Sequence, residues 1–165
     1  MARAETKTKG REGQLDAIEL LEADHRDVDA DFSAFEQATT PAEKQQLADR
    51  ICLALRVHAQ IEEEIFYPAA RDATGETDLL DEALVEHMGA KSLVAQIEAM
   101  APGQPLYDAK VKVLGEQVRH HVGEEEGELF PKVREAGLDL KALGGRMAAR
   151  KAELMALLTA MNPAA

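Results

Sequence analysis

Six metal-ligating side chains stand in this chain in a pattern that occurs twice. His58-Ala-Gln-Ile-Glu62 runs on to Ile-Phe-Tyr-Pro68, and His121-Val-Gly-Glu-Glu125 runs on to Glu-Leu-Phe-Pro131. Laid over each other without a gap, the segments match at His58/His121, Glu62/Glu125, Glu63/Glu126 and Pro68/Pro131. An acidic residue and a histidine stand upstream of each copy. His25, after Asp24, precedes His58 by 33 residues, and His87, after Glu86, precedes His121 by 34. Four imidazoles and two carboxylates have the number and type of donors that a two-metal site needs. The mixture suits iron, with manganese or zinc as possible substitutes.

Helices must bring these residues together. Ile18, Leu21, His25, Val28, Phe32 and Phe35 step by 3 and 4, one inward stripe of a helix over Gln14 to Ala38. Thr40-Pro41-Ala-Glu43 reads as a capping box with proline at the first helical position. It opens a second helix, Pro41 to Arg71, whose stripe is Leu47, Ile51, Leu55, His58, Glu62 and Ile65, and Pro68 should kink it. Gly75 marks a turn. A third helix, from about Asp78, turns Leu80, Leu84, His87, Val94 and Ile97 inward until Pro102-Gly103-Gln-Pro105 stops it. The fourth carries Leu114, Val118, His121, Glu125 and Leu129 and ends near Gly137. Asp139 can cap a fifth helix reaching about Met161, weakened by Gly144-Gly145. No stretch alternates with period 2 long enough for a strand. The expected fold is all-α, an up-down-up-down four-helix bundle with an additional C-terminal helix. Residues 1–13 are expected to be a disordered tail, 14–137 the bundle, and 138–165 a helix packed on it or extending it.

Every histidine of the pattern is in phase with the apolar stripe of its own helix. His58 with Glu62, and His121 with Glu125, lie one turn apart on one face. A single H-x-x-x-E is weak, since most such pairs are surface hydrogen bonds. A lone inward histidine is usually a satisfied core residue. All six together are different: four imidazoles and two carboxylates buried at one level, with no arginine in the stripes, would be costly without a cation.

Composition excludes several other classes. A formal charge of −12 and a pI near 4.8 oppose binding to nucleic acid or an anionic membrane surface. No apolar run approaches the ~20 residues of a membrane span. The first residues lack the apolar core of a secretory signal, so the expected location is cytoplasmic. Cys52 is alone, so no internal disulfide or Cys-based metal motif is expected. Most residues of the acidic runs Glu62 to Glu64 and Glu124 to Glu126 are expected on solvated faces. Tyr67 and Tyr107 are read as packing residues and the six methionines as core filler.

The paired H-x-x-x-E motifs, the acidic-His dipeptides and the Phe-Tyr-Pro and Leu-Phe-Pro endings resemble the hemerythrin-like (HHE cation-binding) family over residues 15 to 136. The resemblance implies a bundle holding a non-haem di-iron centre. His25 and His58 would bind one iron, and His87 and His121 the other. Glu62 and Glu125 would bridge them, beside a solvent-derived oxo or hydroxo group. Oxygen-carrying members have a further histidine four residues after the position of His87, and here that residue is Lys91. The four-His, two-Glu set is similar to that of di-iron proteins linked to repair of iron centres. His120 should point about 100° away from His121 and face outward.

With two histidines and two bridging carboxylates per pair, each iron keeps an open position for O2, NO or peroxide. The expected function is small-ligand binding for sensing, storage or stress protection. The alternatives are a peroxide-consuming, catalase-like enzyme, an iron donor or iron sensor, and an interaction module stapled by zinc. Lys91 is expected at the pocket edge, paired with Asp29, with Ala90 competing for the inward phase. Tyr67 is a further candidate for the pocket wall or its surroundings. No protein partner can be named.

Overall fold

The computed structural model describes residues 15–161; the expected tail at 1–13 and the last four residues lie outside the described residues. Seven helical segments follow one another: α1 Ala17–Gln37, α2 Pro41–Ile61, α3 Tyr67–Thr74, α4 Thr77–Glu98, α5 Tyr107–Glu124, α6 Phe130–Glu135 and α7 Leu140–Met161. No strand occurs among the described residues, and no helix there is long and apolar enough to cross a membrane. α2 runs into α3, and α5 into α6, through a five-residue π-helical turn at Glu62–Phe66 and at Glu125–Leu129.

Local chemistry sets the ends. Thr40 accepts from the Glu43 N–H while the Glu43 carboxylate accepts from the Thr40 N–H, the capping box the sequence predicts. Asp16 and Glu19 form a second box at the start of α1 that the sequence reading passed over. Asp139 accepts from the Ala142 N–H at the start of α7. Each cap stabilises its helix by ~1 kcal/mol. Gly75 takes φ +71°, the left-handed conformation that ends α3.

The sequence predicts a kink at Pro68; the chain makes a widened turn before both prolines. The Tyr67 N–H reaches back five residues to the Glu62 carbonyl, and the Phe130 N–H to the Glu125 carbonyl. Proline has no N–H, and its ring crowds the carbonyl four residues back. One extra residue in the preceding turn absorbs that mismatch without ending the helix.

α1 packs on α2 and α5, and α4 packs on α5 and α2, so α1 and α4 stand diagonally across the bundle. α7 lies over α1, α2 and the first π-turn. Gly144 lets it settle there: a Cβ at this position would sit 2.6 Å from the Leu15 carbonyl oxygen and 2.7 Å from the Ala17 nitrogen. What reads in the sequence as a weak point in a helix is a point of close approach.

The apolar core is in two parts. Ile18, Leu21, Ile61, Phe66, Leu80, Phe130 and Met147 belong to one. Phe32, Phe35, Ile51, Val94, Tyr107 and Leu114 belong to the other. Along α1, His25 falls between Leu21 of the first part and Val28 of the second. A polar layer therefore separates two apolar ends, held by packing above and below.

Candidate metal centre

The polar layer consists of His25, His58, Glu62, His87, His121 and Glu125, each no more than 9 % exposed. All six are the residues the two repeats single out. The histidines come in two pairs: His25 Nε2 is 3.1 Å from His58 Nε2, and His87 Nε2 is 3.2 Å from His121 Nε2. Glu62 lies between the pairs, with Oε1 3.2 Å from His58 Nε2 and Oε2 3.2 Å from His87 Nε2. Glu125 Oε2 is 3.3 Å from His25 Nε2 and 3.5 Å from His121 Nε2. Donor atoms of His25, His58, Glu62 and Glu125 form one convergent set, and those of Glu62, His87 and His121 a second.

The opposite ring nitrogens show why all the Nε2 atoms face inward. Each Nδ1 meets a carboxylate, which can only accept, so each Nδ1 carries the proton. His58 donates to Asp24 at 3.3 Å and His121 to Glu86 at 2.6 Å. His25 donates to Glu126 at 2.8 Å and His87 to Glu63 at 2.9 Å. A carboxylate on Nδ1 fixes the tautomer, orients the ring and leaves Nε2 as a lone pair for a metal. The acidic-His dipeptides and the Glu-Glu pairs now have a role. Asp24 and Glu86 each hold the histidine of the following helix. Glu63 and Glu126 each hold a histidine of the other repeat.

This corrects the expectation for the acidic runs. Four of their six residues, Glu62, Glu63, Glu125 and Glu126, serve the centre. Glu64 turns away to Arg150, whose guanidinium holds the carboxyl at about 2, and Glu124 turns to the exposed His120. The widened turns are the physical reason, because two consecutive glutamates can then work at one level of the bundle.

Tyr67 also does more than pack. Its hydroxyl donates to Glu125 Oε1 at 2.7 Å, and its oxygen stands 3.2 Å from His87 Nε2 and 3.5 Å from His121 Nε2. Burial, with Glu62 and Glu125 beside it, pushes this phenol well above its usual range. In the first repeat's frame Tyr67 corresponds to Phe130, whose ring stacks on His25 with an interplanar angle of 4°.

The expected Lys91–Asp29 pair does not form. Lys91 Nζ donates to both oxygens of Glu63, at 2.6 and 2.7 Å, and Asp29 accepts from Arg119 at 2.7 Å. α1 and α4 are diagonal, so each residue finds its partner on an adjacent element instead. Lys91 still lines the cavity beside the histidines, as does Ala90, whereas Asp29 is exposed and outside it. Lys151, which the sequence reading missed, donates to Asp24 at 2.6 Å. It is invisible locally because α7 lies so far along the chain from α1. His120 faces outward and is 67 % exposed.

The electrostatics ask for a cation. Glu62 Oε1 and Glu125 Oε2 are buried with no hydrogen-bond donor. With every Nδ1 proton committed outward, the inner faces of the histidines are lone pairs as well. Left to protons alone, the cluster polarises: burial pushes His58 down, but Glu62 and Asp24 outweigh it and hold the ring well above its usual range. Burial likewise raises Glu62, and His58 and His87 outweigh it and hold the carboxyl well below. Donors of this type, converging without protons of their own, fit metal cations.

The comparisons agree with that chemistry. A solved hemerythrin HHE cation-binding domain-containing protein from Mycobacterium kansasii, described as an Rv2633c homolog, superposes with a TM-score of 0.77 at 25 % identity, over 90 % of this chain and 93 % of that one. A protein of Nostoc sp. named DNA nickase is 33 % identical over 128 residues; the match takes in 77 % of this chain but only 36 % of that protein's length. The family model for the hemerythrin HHE cation-binding domain matches residues 16–133. From α1 to α6, then, this chain belongs to the hemerythrin HHE cation-binding family.

Proposed function

We propose that the chain holds two iron ions and uses them to bind a small oxidant or diatomic ligand, O2, NO or peroxide, in sensing, storage or stress protection. His25 and His58 would hold one iron, His87 and His121 the other, with Glu62 and Glu125 shared. The observation that carries this reading is Glu62, one buried carboxylate with one oxygen on each histidine pair. Bound iron would supply the ligand-binding and redox chemistry. The chain's own residues hold the imidazoles in one tautomer, pack apolar layers above and below them, and turn a phenol O–H to Glu125. Tyr67 sets the second position apart, since its oxygen stands beside His87 and His121 where the first position has only the ring of Phe130.

DNA is not the favoured partner. The shared segment is a minor part of the Nostoc protein, and a chain of charge −12 repels phosphate. The deciding experiment is metal analysis with an absorption spectrum of protein from iron-replete cells. Iron at two equivalents per chain, with near-ultraviolet charge-transfer bands in the oxidised protein, is expected. Zinc bound equally well, with no spectral response to NO or peroxide, would replace this reading with a structural staple. Steady-state loss of peroxide would move it from a binding protein to an enzyme.

A further inference from the structure

Beside the histidine layer lies a cavity of about 300 Å³. His25, His58, His87 and His121 form its inner end. Val28, Ala54, Ala90, Val94, Val118 and Val122 make up much of the rest of the wall. A water-sized molecule takes up roughly 30 Å³, so a diatomic ligand would leave most of this space empty. Mostly apolar pockets on this scale take small organic molecules.

Charges at the rim narrow the class. The four cations there are already paired: Arg50 with Asp31, Arg56 with Glu98, Lys91 with Glu63 and Lys151 with Asp24. None is left over to receive a carboxylate or phosphate, and Asp27 adds a further negative charge at the rim. In the metal-free chain an anionic guest would lose its hydration without gaining a partner. A neutral guest meets aliphatic walls along its body and imidazoles at one end.

We propose that the cavity binds a neutral, mostly apolar organic molecule of about one aromatic ring in size, with a single uncharged hydroxyl-type group turned toward the histidines. This names the ligand class of the centre and rests on the di-iron reading for what the head group meets. The packing of the body is independent of it.

The stable alcohol 2-phenyl-2-propanol serves as the probe, titrated into the full chain with and without iron and followed by amide NMR shifts. Saturable binding is expected, with the largest shifts at Val28, Val94 and Val118. To the iron-free chain benzoate, a ring of similar size with a charge, should bind at least about tenfold more weakly. Ala90→Phe and Ala54→Phe fill the space from α4 and from α2, and each should weaken the alcohol by about tenfold or more while melting like the parent. Absence of saturable binding overturns the proposal, as does benzoate binding the iron-free chain as tightly as the alcohol, or undiminished binding in a folded filled variant. Should both variants unfold, the alcohol–benzoate comparison on the parent chain decides alone. Iron content is measured in parallel: a chain that binds the alcohol but not iron would sink the di-iron reading and leave the cavity assignment standing.

Discussion

The two halves of the centre are laid out alike and finished differently. In the half built from His25 and His58, a phenylalanine stacks on His25, and α7 covers the outside, sending Lys151 to Asp24. In the half built from His87 and His121, a tyrosine takes the phenylalanine's place, and Glu86 has the exposed His120 for company where Asp24 has a lysine. The repeat sets the inner donors, and the departures from it decide how each position behaves.

The largest effect should come from a carboxylate that both halves share. Glu62→Ala should remove most of the metal from both positions, while His58→Ala and His87→Ala should each empty mainly one. Atomic absorption on the purified variants checks this, and a Glu62→Ala chain with near-full metal would end the idea of a common carboxylate. Next in size are the carboxylates on Nδ1, whose loss typically costs 10–100-fold in metal affinity. Asp24→Ala and Glu86→Ala should both weaken binding by about that factor in a chelator competition. Lys151→Ala should follow Asp24→Ala at a smaller magnitude, because it acts only through Asp24.

Gly144→Ala should loosen α7 and cost roughly 1–3 kcal/mol in thermal or denaturant unfolding, since a Cβ would meet backbone. Gly145→Ala, with nothing within 4 Å, should instead stabilise by about 0.5–1 kcal/mol. If the two glycines behaved alike, the one-sided seating of α7 would be wrong. Smallest is Tyr67→Phe, which makes the second half resemble the first. It should cost about 1 kcal/mol of metal-free stability through the lost hydrogen bond to Glu125. Any visible absorption arising from a phenolate should disappear with it, and Phe130→Tyr should leave that band unchanged.

Much of this was legible in the sequence. The inward stripes, the Thr40 and Asp139 caps and the doubled motif lead to the all-α bundle with its extra helix, because helical phase is a local property. The six inner residues can be picked out for the same reason. What escaped was non-local or broke the period. The partner of Asp24 lies in α7, and the partners of Glu63 and Glu126 lie in the opposite repeat. A regular period cannot show a widened turn, so Glu63 and Glu126 looked solvent-facing. Tyr67 looked like packing because its ring does pack, on Phe66 and His87, and only its hydroxyl enters the polar layer.

The widened turns have a consequence for insertions and deletions. Each holds one residue more than a regular α-helix would, so each acts as a one-residue phase adjustment in an otherwise continuous rod. Loss of a single codon between those for Glu63 and Ile65 would let the rod close into regular helix. Everything beyond it, from Phe66 to Thr74, would keep its place in the core, because the widened turn alone had taken up the extra residue. Glu63 would move off the level of His87, and the Pro68 ring would crowd the Glu63 carbonyl, although every inner histidine and glutamate remained and helix content had barely changed. Far-ultraviolet circular dichroism would pass such a chain as intact while His87 had lost its carboxylate. In this architecture, spacing between the glutamate and the proline is as much a part of the site as the side chains themselves.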